Sequence, residues 1–254
     1  NKYVSDIRQY DIQRLINNMS SLGRSTKTQK NMVGIIHSLF DYAVINDIIK
    51  HNPVKHIAKS KTADYEYYIY SQKEFEELLA LFSNSRDIIP VLLGGVCGLR
   101  LSEVFGLKWE DISFSNCTVH IKRAAVAIGR EVDIKPTTKT KAGNRIIAVP
   151  ENIICIIKKY FTDLEDWIYP SEKNKSIPEN GHNFYQRYNW KIKNAGLPHT
   201  RFHDLRHFAA TSFLDAGVPD IYAAAYLGHS DTNMTRKYQH IRQQFIPYPM
   251  KDSE

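Results

Sequence analysis

The chain has 254 residues, of which 43% are hydrophobic and 24% charged, and its formal net charge at pH 7 is +7. This composition is ordinary for a globular protein and allows one large core or two smaller ones. No apolar run approaches the roughly 18 residues of a membrane span and no signal peptide opens the chain, so membrane insertion and secretion are unsupported and a cytoplasmic location is expected. The excess of positive charge favours a polyanionic partner such as nucleic acid.

The positive charge is concentrated near the amino-terminal end. Residues 1–60 contain nine Lys or Arg and four Asp, a net charge of +5. This charge has two interpretations: a solvated basic helical surface, or a DNA-facing module in which lysines contact phosphates and release counterions. The candidate DNA contacts are Lys27, Lys30, Lys55 and Lys59.

The first segment is predicted to be helical through residues 1–57. Ser25 can cap a helix whose apolar residues recur at helical spacing, at Val33, Ile36, Phe40 and Ala43. Asn52-Pro53 is expected to end that helix, because the residue before a proline is pushed out of the α region. The next stretch lacks a helical period, so we predict a helical domain over residues 1–62, a boundary near residue 63 and a linker over 63–70.

The second segment is predicted to open with a capping box, formed by Ser71 and Glu74. Its buried stripe is expected at Phe75, Leu78, Leu79 and Phe82. Residues 87–107 are predicted to be helical, with an interruption where three glycines cluster just before Arg100. Helical patterns return over 151–160, 181–195, 203–216 and 219–227.

Between these helices, residues 117–149 are predicted to form strands. The three runs are CTVHIKRAAVAI, EVDIK and RIIAVP, and Gly143-Asn144 can take positive φ in a hairpin between the last two. The predicted fold is therefore mainly α with one small antiparallel β-sheet (α+β). Cys97, Cys117 and Cys155 stand outside any CxxC pairing and are predicted to be buried, reduced thiols rather than disulfide or zinc partners.

The stretch HDLRHFAATSFLDAG, residues 203–217, places reactive side chains on a predicted helix. At about 100° per residue, His203, Arg206 and His207 lie on one side and the apolar residues on the other. This face is either a solvated polar surface or a set of cations directed at a ligand. A metal site fits poorly, because an arginine lies between the two histidines and the glutamate of HExxH is absent.

A second candidate is Arg100, in the apolar, glycine-rich stretch GLRLSEVFGLKWEDI. An arginine cannot lose its charge, so it must be paired in such a setting. Its partner is either Glu103, one helical turn away, or a phosphate bound by the planar guanidinium. Leu107 and Trp109 are expected in the core.

Together these stretches resemble the tyrosine recombinases, the phage integrase family. GLRLSEVFGLKWEDI is similar to the first arginine box of the family, and HDLRHFAATSFLDAG followed by YLGHSDTNMTRKY is similar to the second, in the same order. KAGNR in a β-hairpin resembles the corresponding stretch in integrases of conjugative transposons and temperate phages. The resemblance covers residues 25–240 and implies the catalytic residues Arg100, Lys141, His203, Arg206, His229 and Tyr238.

The resemblance implies a covalent mechanism. Tyr238 would attack the scissile phosphate, leaving a 3′-phosphotyrosyl bond and a free 5′-hydroxyl. The negative charge that builds on the non-bridging oxygens would be stabilised by Arg100, Arg206 and His229, without a metal ion. Because the covalent bond keeps the energy of the broken one, no cofactor, ATP or Mg²⁺ is expected.

Two proton transfers are implied as well. A phenol with a pKa near 10 is a weak nucleophile at pH 7, and His203 would be its base. Lys141 would protonate the departing 5′-oxygen, with Lys139 as the alternative donor. Arg236 and Lys237, beside the nucleophile, are candidate DNA contacts together with Lys139.

The resemblance also implies an architecture and partners. Residues 1–62 would be a core-binding domain and 71–245 the catalytic domain, together a C-shaped clamp around DNA, with 246–254 as a carboxyl-terminal tail. Each protomer would cut one strand, so a homotetramer on two duplexes is expected, with an accessory DNA-bending or excision factor as a further candidate partner. The expected function is site-specific integration or excision of a mobile element at the bacterial nucleoid. A type IB topoisomerase-like relaxation activity and a non-catalytic DNA-binding protein on the same scaffold are the alternatives.

Overall fold

The computed structural model describes residues 2–54, 57, 68–136, 143–163 and 165–228. The chain divides into two compact units, residues 1–66 and 67–254, which we call unit 1 and unit 2. The expected boundary near residue 63 falls in the stretch 58–67, outside the described residues. Within the described ranges, no helix has both the length and the apolar character that a membrane crossing needs.

Unit 1 is built on two helices, α1 (Gln9–Ser21) and α2 (Thr26–Ile45). The predicted cap of α2 is confirmed, because Oγ of Ser25 accepts a hydrogen bond from the backbone N–H of Thr28 at 3.2 Å. The apolar sides of the two helices meet the residues after α2 in a small core. Its buried members are Ile12, Ile16, Val33, Phe40, Val54 and Ile57.

The expected end of α2 at Asn52-Pro53 is wrong. The helix ends at Ile45, and Asp47 takes a left-handed φ of 56° that turns the chain. Asn52 folds back along α2, where its Nδ2 donates a hydrogen bond to Oδ1 of Asp41 at 2.6 Å. A short polar side chain that bonds to a nearby group competes with helix continuation, so the proline lies in a return loop.

Unit 2 contains seven α-helices among its described residues: α3 (Gln72–Phe82), α4 (Ile88–Gly95), α5 (Leu101–Phe105), α6 (Glu151–Lys158), α7 (Gly181–Ala195), α8 (Phe202–Asp215) and α9 (Asp220–Leu227). The predicted helices are confirmed, including the interruption between α4 and α5. The capping box is also confirmed, since Ser71 and Glu74 each accept a hydrogen bond from the backbone N–H of the other. Leu107 and Trp109 are buried, as expected.

Among the described residues between α5 and α6 there are five short strands: β1 (Ile112–Ser113), β2 (Thr118–Ile121), β3 (Arg123–Ile128), β4 (Glu131–Pro136) and β5 (Arg145–Ala148). They form two antiparallel sheets, in the orders β1-β2-β5 and β3-β4. The predicted mainly helical fold with antiparallel strands is confirmed, but the single sheet is wrong.

The predicted hairpin between EVDIK and RIIAVP is wrong as well. β4 pairs with β3, and β5 pairs with β2 so that Ile147 lies opposite Val119. Ile147 and Val119 are both buried, whereas β4 is largely exposed. Burial of the apolar side of β5 therefore decides its partner, because a strand gains most where its apolar side chains leave water.

Two glycines allow α4, α8 and α9 to approach each other. A Cβ on Gly94 would lie 2.6 Å from the ring of Phe202, the first residue of α8. Gly98 has a φ of +65°, and a Cβ there would overlap Cδ2 of Leu227 at the end of α9. Closely packed interiors tolerate no such overlap, so these positions bring the turn before Arg100 against the two last described helices.

The three cysteines are free, but only Cys97 is buried. Burial raises the pKa of its thiol to about 12. Cys117 is half-buried and Cys155 exposed, so the prediction of three buried thiols is wrong for these two. Cys155 lies on the outer side of α6, whose inner side is formed by Ile153, Ile154 and Ile157.

We expect Gly94→Ala to destabilise unit 2 by about 1–3 kcal/mol, because the added methyl group meets the Phe202 ring. Urea unfolding followed by tryptophan fluorescence reports unit 2, since Trp109, Trp167 and Trp190 all lie there. The matched control is Gly34→Ala in α2, where a Cβ meets nothing within 4 Å. This second change should stabilise unit 1 by about 0.5–1 kcal/mol, measured by circular dichroism. Equal effects of the two changes would contradict the packing argument.

Candidate active site

Arg100 precedes α5 and binds one acidic residue twice. Its backbone N–H donates to Oε2 of Glu103 at 2.9 Å, and its Nη1 donates to Oε1 at 2.8 Å. The side chain of Arg100 remains 39% exposed, whereas that of Glu103 is 4% exposed. Of the two partners expected for Arg100, the structure shows Glu103. The accessible part of the Arg100 side chain can still bind a phosphate.

Arg206 lies inside unit 2. It is 2% exposed, and its Nη1 donates to the carbonyl oxygen of Gly98 at 2.6 Å. Of the two interpretations of this side of α8, a solvated polar surface is wrong for Arg206, because α8 packs there against the turn before Arg100. A buried guanidinium is held by its hydrogen bonds, so Arg206 has a defined position beside that turn.

His203 is exposed and His207 half-buried, and their rings meet edge to face with centroids 5.0 Å apart. The pKa of His203 is lowered first by partial desolvation and then by the positive charge of Arg206. Asp204 opposes this shift, and Arg100 and Arg201 add smaller lowering effects. Burial lowers the pKa of His207 to about 4. Both imidazoles are therefore neutral at pH 7, and His203 is close enough to both arginines to sense their charge.

A further arginine, Arg145, joins this cluster; it is the last residue of KAGNR, and its sequence context predicted no role for it. It begins β5, and its side chain is 8% exposed. Nη1 and Nη2 donate to Oε1 and Oε2 of Glu103 at 3.2 and 3.1 Å, and Nε donates to the carbonyl oxygen of Tyr226 at 2.7 Å. In the sequence it is a lone arginine at the start of a strand, 42 positions from the acid that it binds.

Glu103 is ionised in spite of its burial. Burial alone would raise the pKa of this carboxyl group, but the hydrogen bonds and charge of Arg145, and then those of Arg100, hold it below its usual value. One carboxylate therefore serves two guanidinium groups. A net positive charge remains at this point of the cluster.

The carboxyl-terminal end of α9 lies against the same arginines. Gly228 ends the helix with a φ of 71°, and its carbonyl oxygen accepts a hydrogen bond from Nη2 of Arg100 at 3.3 Å. Tyr226 is half-buried and donates its hydroxyl proton to the carbonyl oxygen of Ala148 at 2.6 Å. The last carbonyls of a helix carry partial negative charge, which attracts the two guanidinium groups. Arg100 thus contacts the residue that directly precedes His229.

Eight of the predicted site residues lie outside the described residues: Lys55, Lys59, Lys139, Lys141, His229, Arg236, Lys237 and Tyr238. Lys27 and Lys30 are exposed on α2 of unit 1. Within the part of the chain that the structure describes, no group of three or more His, Cys, Asp or Glu is arranged to hold a metal ion.

The sequence profile of the phage integrase family matches residues 70–244. A tyrosine recombinase from Pseudothermotoga lettingae is 30% identical to this chain, over 94% of this chain and 79% of that protein. A XerC-like tyrosine recombinase from Caldanaerobacter subterraneus subsp. tengcongensis is 27% identical, over 94% of this chain and 68% of that protein.

The fold is similar to that of solved integrases. The Tn1549 transposon integrase in complex with transposon right end DNA superposes with a TM-score of 0.79 at 18% sequence identity, over 94% of this chain and 82% of that chain. The family profile covers both arginine boxes, and the structure brings Arg100 and Arg206 of those boxes into one cluster. The chain belongs to the phage integrase family, the tyrosine recombinases.

Proposed function

We propose that this tyrosine recombinase cuts DNA strands through Tyr238 and rejoins them to new partners, so that a mobile element is integrated or excised at a specific site. Site-specific DNA recombination is the activity of the family. The observation that carries the proposal is the 2.6 Å hydrogen bond from Nη1 of Arg206 to the carbonyl oxygen of Gly98, which brings α8, with His203, against the turn two residues before Arg100.

The cluster suits a phosphate in the transition state of strand cleavage. Attack on a phosphodiester builds negative charge on the two non-bridging oxygens, and preorganised guanidinium groups offset it without a metal ion. Arg206 is held in place by its burial. Arg100 is bound to Glu103 through Nη1, while the rest of its side chain stays partly accessible. His229 adds a third hydrogen bond in this proposal, since the carbonyl of the preceding Gly228 already contacts Arg100.

The proton transfers follow from the protonation states. His203 is neutral at pH 7 because its pKa is lowered, so it can take the proton of the Tyr238 hydroxyl. Lys141 gives a proton to the departing 5′-oxygen, with Lys139 as the alternative donor. The phosphotyrosyl bond keeps the energy of the broken bond, and attack by a 5′-hydroxyl of another strand reverses the chemistry.

Unit 1 is proposed to be the core-binding domain and unit 2 the catalytic domain on double-stranded DNA. Lys27 and Lys30 are exposed on α2, in the region that carries a net charge of +5. Phosphate contacts are assigned to them and to Lys55, Lys59, Lys139, Arg236 and Lys237. Exchange between two duplexes breaks four strands, so four protomers are needed if each supplies one nucleophile, and an accessory DNA-bending or excision factor would assist the assembly.

We expect the protein to form a covalent adduct with a nicked duplex, from which the short cleaved strand diffuses away and traps the intermediate. The duplex is one selected for binding and cleavage from a randomised library. Tyr238→Phe should remove the adduct without changing the Kd for DNA more than about threefold, because affinity comes mainly from phosphate contacts. An adduct that persists in Tyr238→Phe would show that another residue is the nucleophile. Relaxation of supercoiled DNA without strand exchange would favour the topoisomerase alternative.

Arg206→Lys should slow single-turnover cleavage by about 10²–10³-fold, because lysine keeps the charge but loses the planar fork that stabilises the transition state. The matched control is Arg86→Lys, away from the cluster. Like Arg206, Arg86 donates to a backbone carbonyl, that of Tyr160 at 3.1 Å. It also binds the carboxylate of Glu165 at 2.8 Å, and 23% of its side chain is exposed. Cleavage at the wild-type rate by Arg206→Lys would contradict the assignment.

The cleavage rate should depend on the protonation of His203. Because its pKa is lowered from 6.5, more than half of the base is neutral at pH 6.5, and the neutral form is lost as the pH falls through the lower, folded-state pKa. Single-turnover rates should therefore fall on the acid side with a midpoint below pH 6.5. His203→Gln should remove that acid limb and reduce the rate at neutral pH by about 10²-fold or more. An acid limb with its midpoint above pH 6.5 would exclude His203 as the base.

A further inference from the structure

We infer that Arg145 is a positioning residue of the recombination reaction: it holds Glu103 and the end of α9 so that Arg100 can bind the scissile phosphate. The inference rests on the proposed role of Arg100. Arg145 is not a phosphate contact in this scheme, because its side chain is 8% exposed and all three of its guanidinium nitrogens donate to protein oxygens.

The guanidinium group of Arg145 binds two other elements of unit 2. Nη1 and Nη2 of Arg145 span the two oxygens of Glu103, while Nε points to the carbonyl of Tyr226. A lysine has the charge but not the planar set of donors that reaches three acceptors in two directions. Arg145 therefore ties β5 to α5 and to the end of α9 through one rigid group.

The positive charge of Arg145 compensates the buried carboxylate of Glu103. Glu103 is buried and ionised, and a buried carboxylate needs its cationic partners. With Arg145 present, Glu103 takes only one side-chain nitrogen, Nη1, from Arg100. Without Arg145, the carboxylate would compete with the DNA phosphate for the Arg100 guanidinium. The local net charge would also fall from positive to zero.

Arg145 and the helix end that it binds are close in sequence to two proposed catalytic residues. Lys141, the proposed acid, precedes β5 by four residues, and His229 directly follows the helix end that Arg145 binds. The Tyr226 carbonyl bound by Arg145 and the Gly228 carbonyl bound by Arg100 belong to the same helix end. Loss of Arg145 would therefore loosen the backbone that leads into His229.

Arg123 provides a matched comparison, because it has a similar set of partners elsewhere in unit 2. Its Nη1 binds Oδ2 of the buried Asp111 at 2.6 Å, its Nη2 binds Glu110 at 2.8 Å, and its side chain is 16% exposed. Nη1 also reaches the carbonyl oxygen of Gly106 at 3.5 Å. Removing this arginine also removes a buried ion pair, so it reproduces the structural cost of losing Arg145.

The test compares Arg145→Gln, Arg145→Lys and Arg123→Gln in the full chain, on the selected nicked duplex. Thermal unfolding gives the folded fraction, titration gives the Kd for DNA, and adduct formation at saturating DNA gives the single-turnover rate per folded molecule. We expect Arg145→Gln to cleave at least about tenfold more slowly and Arg145→Lys to lie between it and the wild type, with Kd within about threefold. Arg123→Gln should lose stability and keep the wild-type rate.

A double variant separates positioning from general loss of structure. Glu103→Gln added to Arg145→Gln removes the negative charge that competes for Arg100, so the double variant should cleave at least about threefold faster than Arg145→Gln alone. A purely structural role predicts further loss instead.

Four outcomes would overturn the inference: a wild-type rate in Arg145→Gln, an equal loss of rate in Arg123→Gln, no recovery in the double variant, or failure of both Arg145 variants to fold. Tyr238→Phe is measured in parallel. Persistence of the adduct in that variant would reject the proposed nucleophile, while the Arg145 comparison is still read from the wild-type rate.

Discussion

The carboxylate of Glu103 lies buried between the guanidinium groups of Arg100 and Arg145, and the candidate active site of unit 2 is organised around this contact. A buried charge is tolerated only when it is paired and its hydrogen bonds are satisfied. Here the pairing orders three elements that are far apart in sequence: the start of α5, the start of β5 and the end of α9. An interaction that adds little to net stability can thus specify one arrangement of the site.

The close packing of apolar elements makes this arrangement possible. Gly94 and Gly98 allow α4, α8 and α9 to approach until side chains larger than hydrogen would overlap. The same approach buries Arg206 against the Gly98 carbonyl, and the pKa of His203 is lowered by desolvation first and then by the nearby guanidinium charges. Packing and protonation state are therefore linked, because the imidazole proposed as the base is kept neutral by its desolvation and by the cations proposed to bind the phosphate.

Much of the local structure follows from short stretches of sequence. The caps at Ser25 and Ser71, and most of the helices, depend on hydrogen bonds and apolar spacing within a few residues, and these predictions are confirmed. The prediction of where α2 ends was wrong because Asn52 forms a hydrogen bond back to Asp41, a contact that exists only in the folded loop. The predicted pairing of β5 with β4 was wrong because burial of Ile147 beside Val119, and not the adjacent turn, decides the partner of β5.

For the site, the sequence by itself determined which residue types are present and in what order, and so the family and its chemistry. Arg100 and its partner Glu103 could be read from one helical turn. Tertiary structure alone decided that Arg206 is buried instead of lying on an open face, and that Arg145 completes the cluster. The physical reason is the separation along the sequence of the residues that interact. Helical periodicity depends on residues a few positions apart, whereas the ion pair between Arg145 and Glu103, 42 positions apart, exists only after the core has formed.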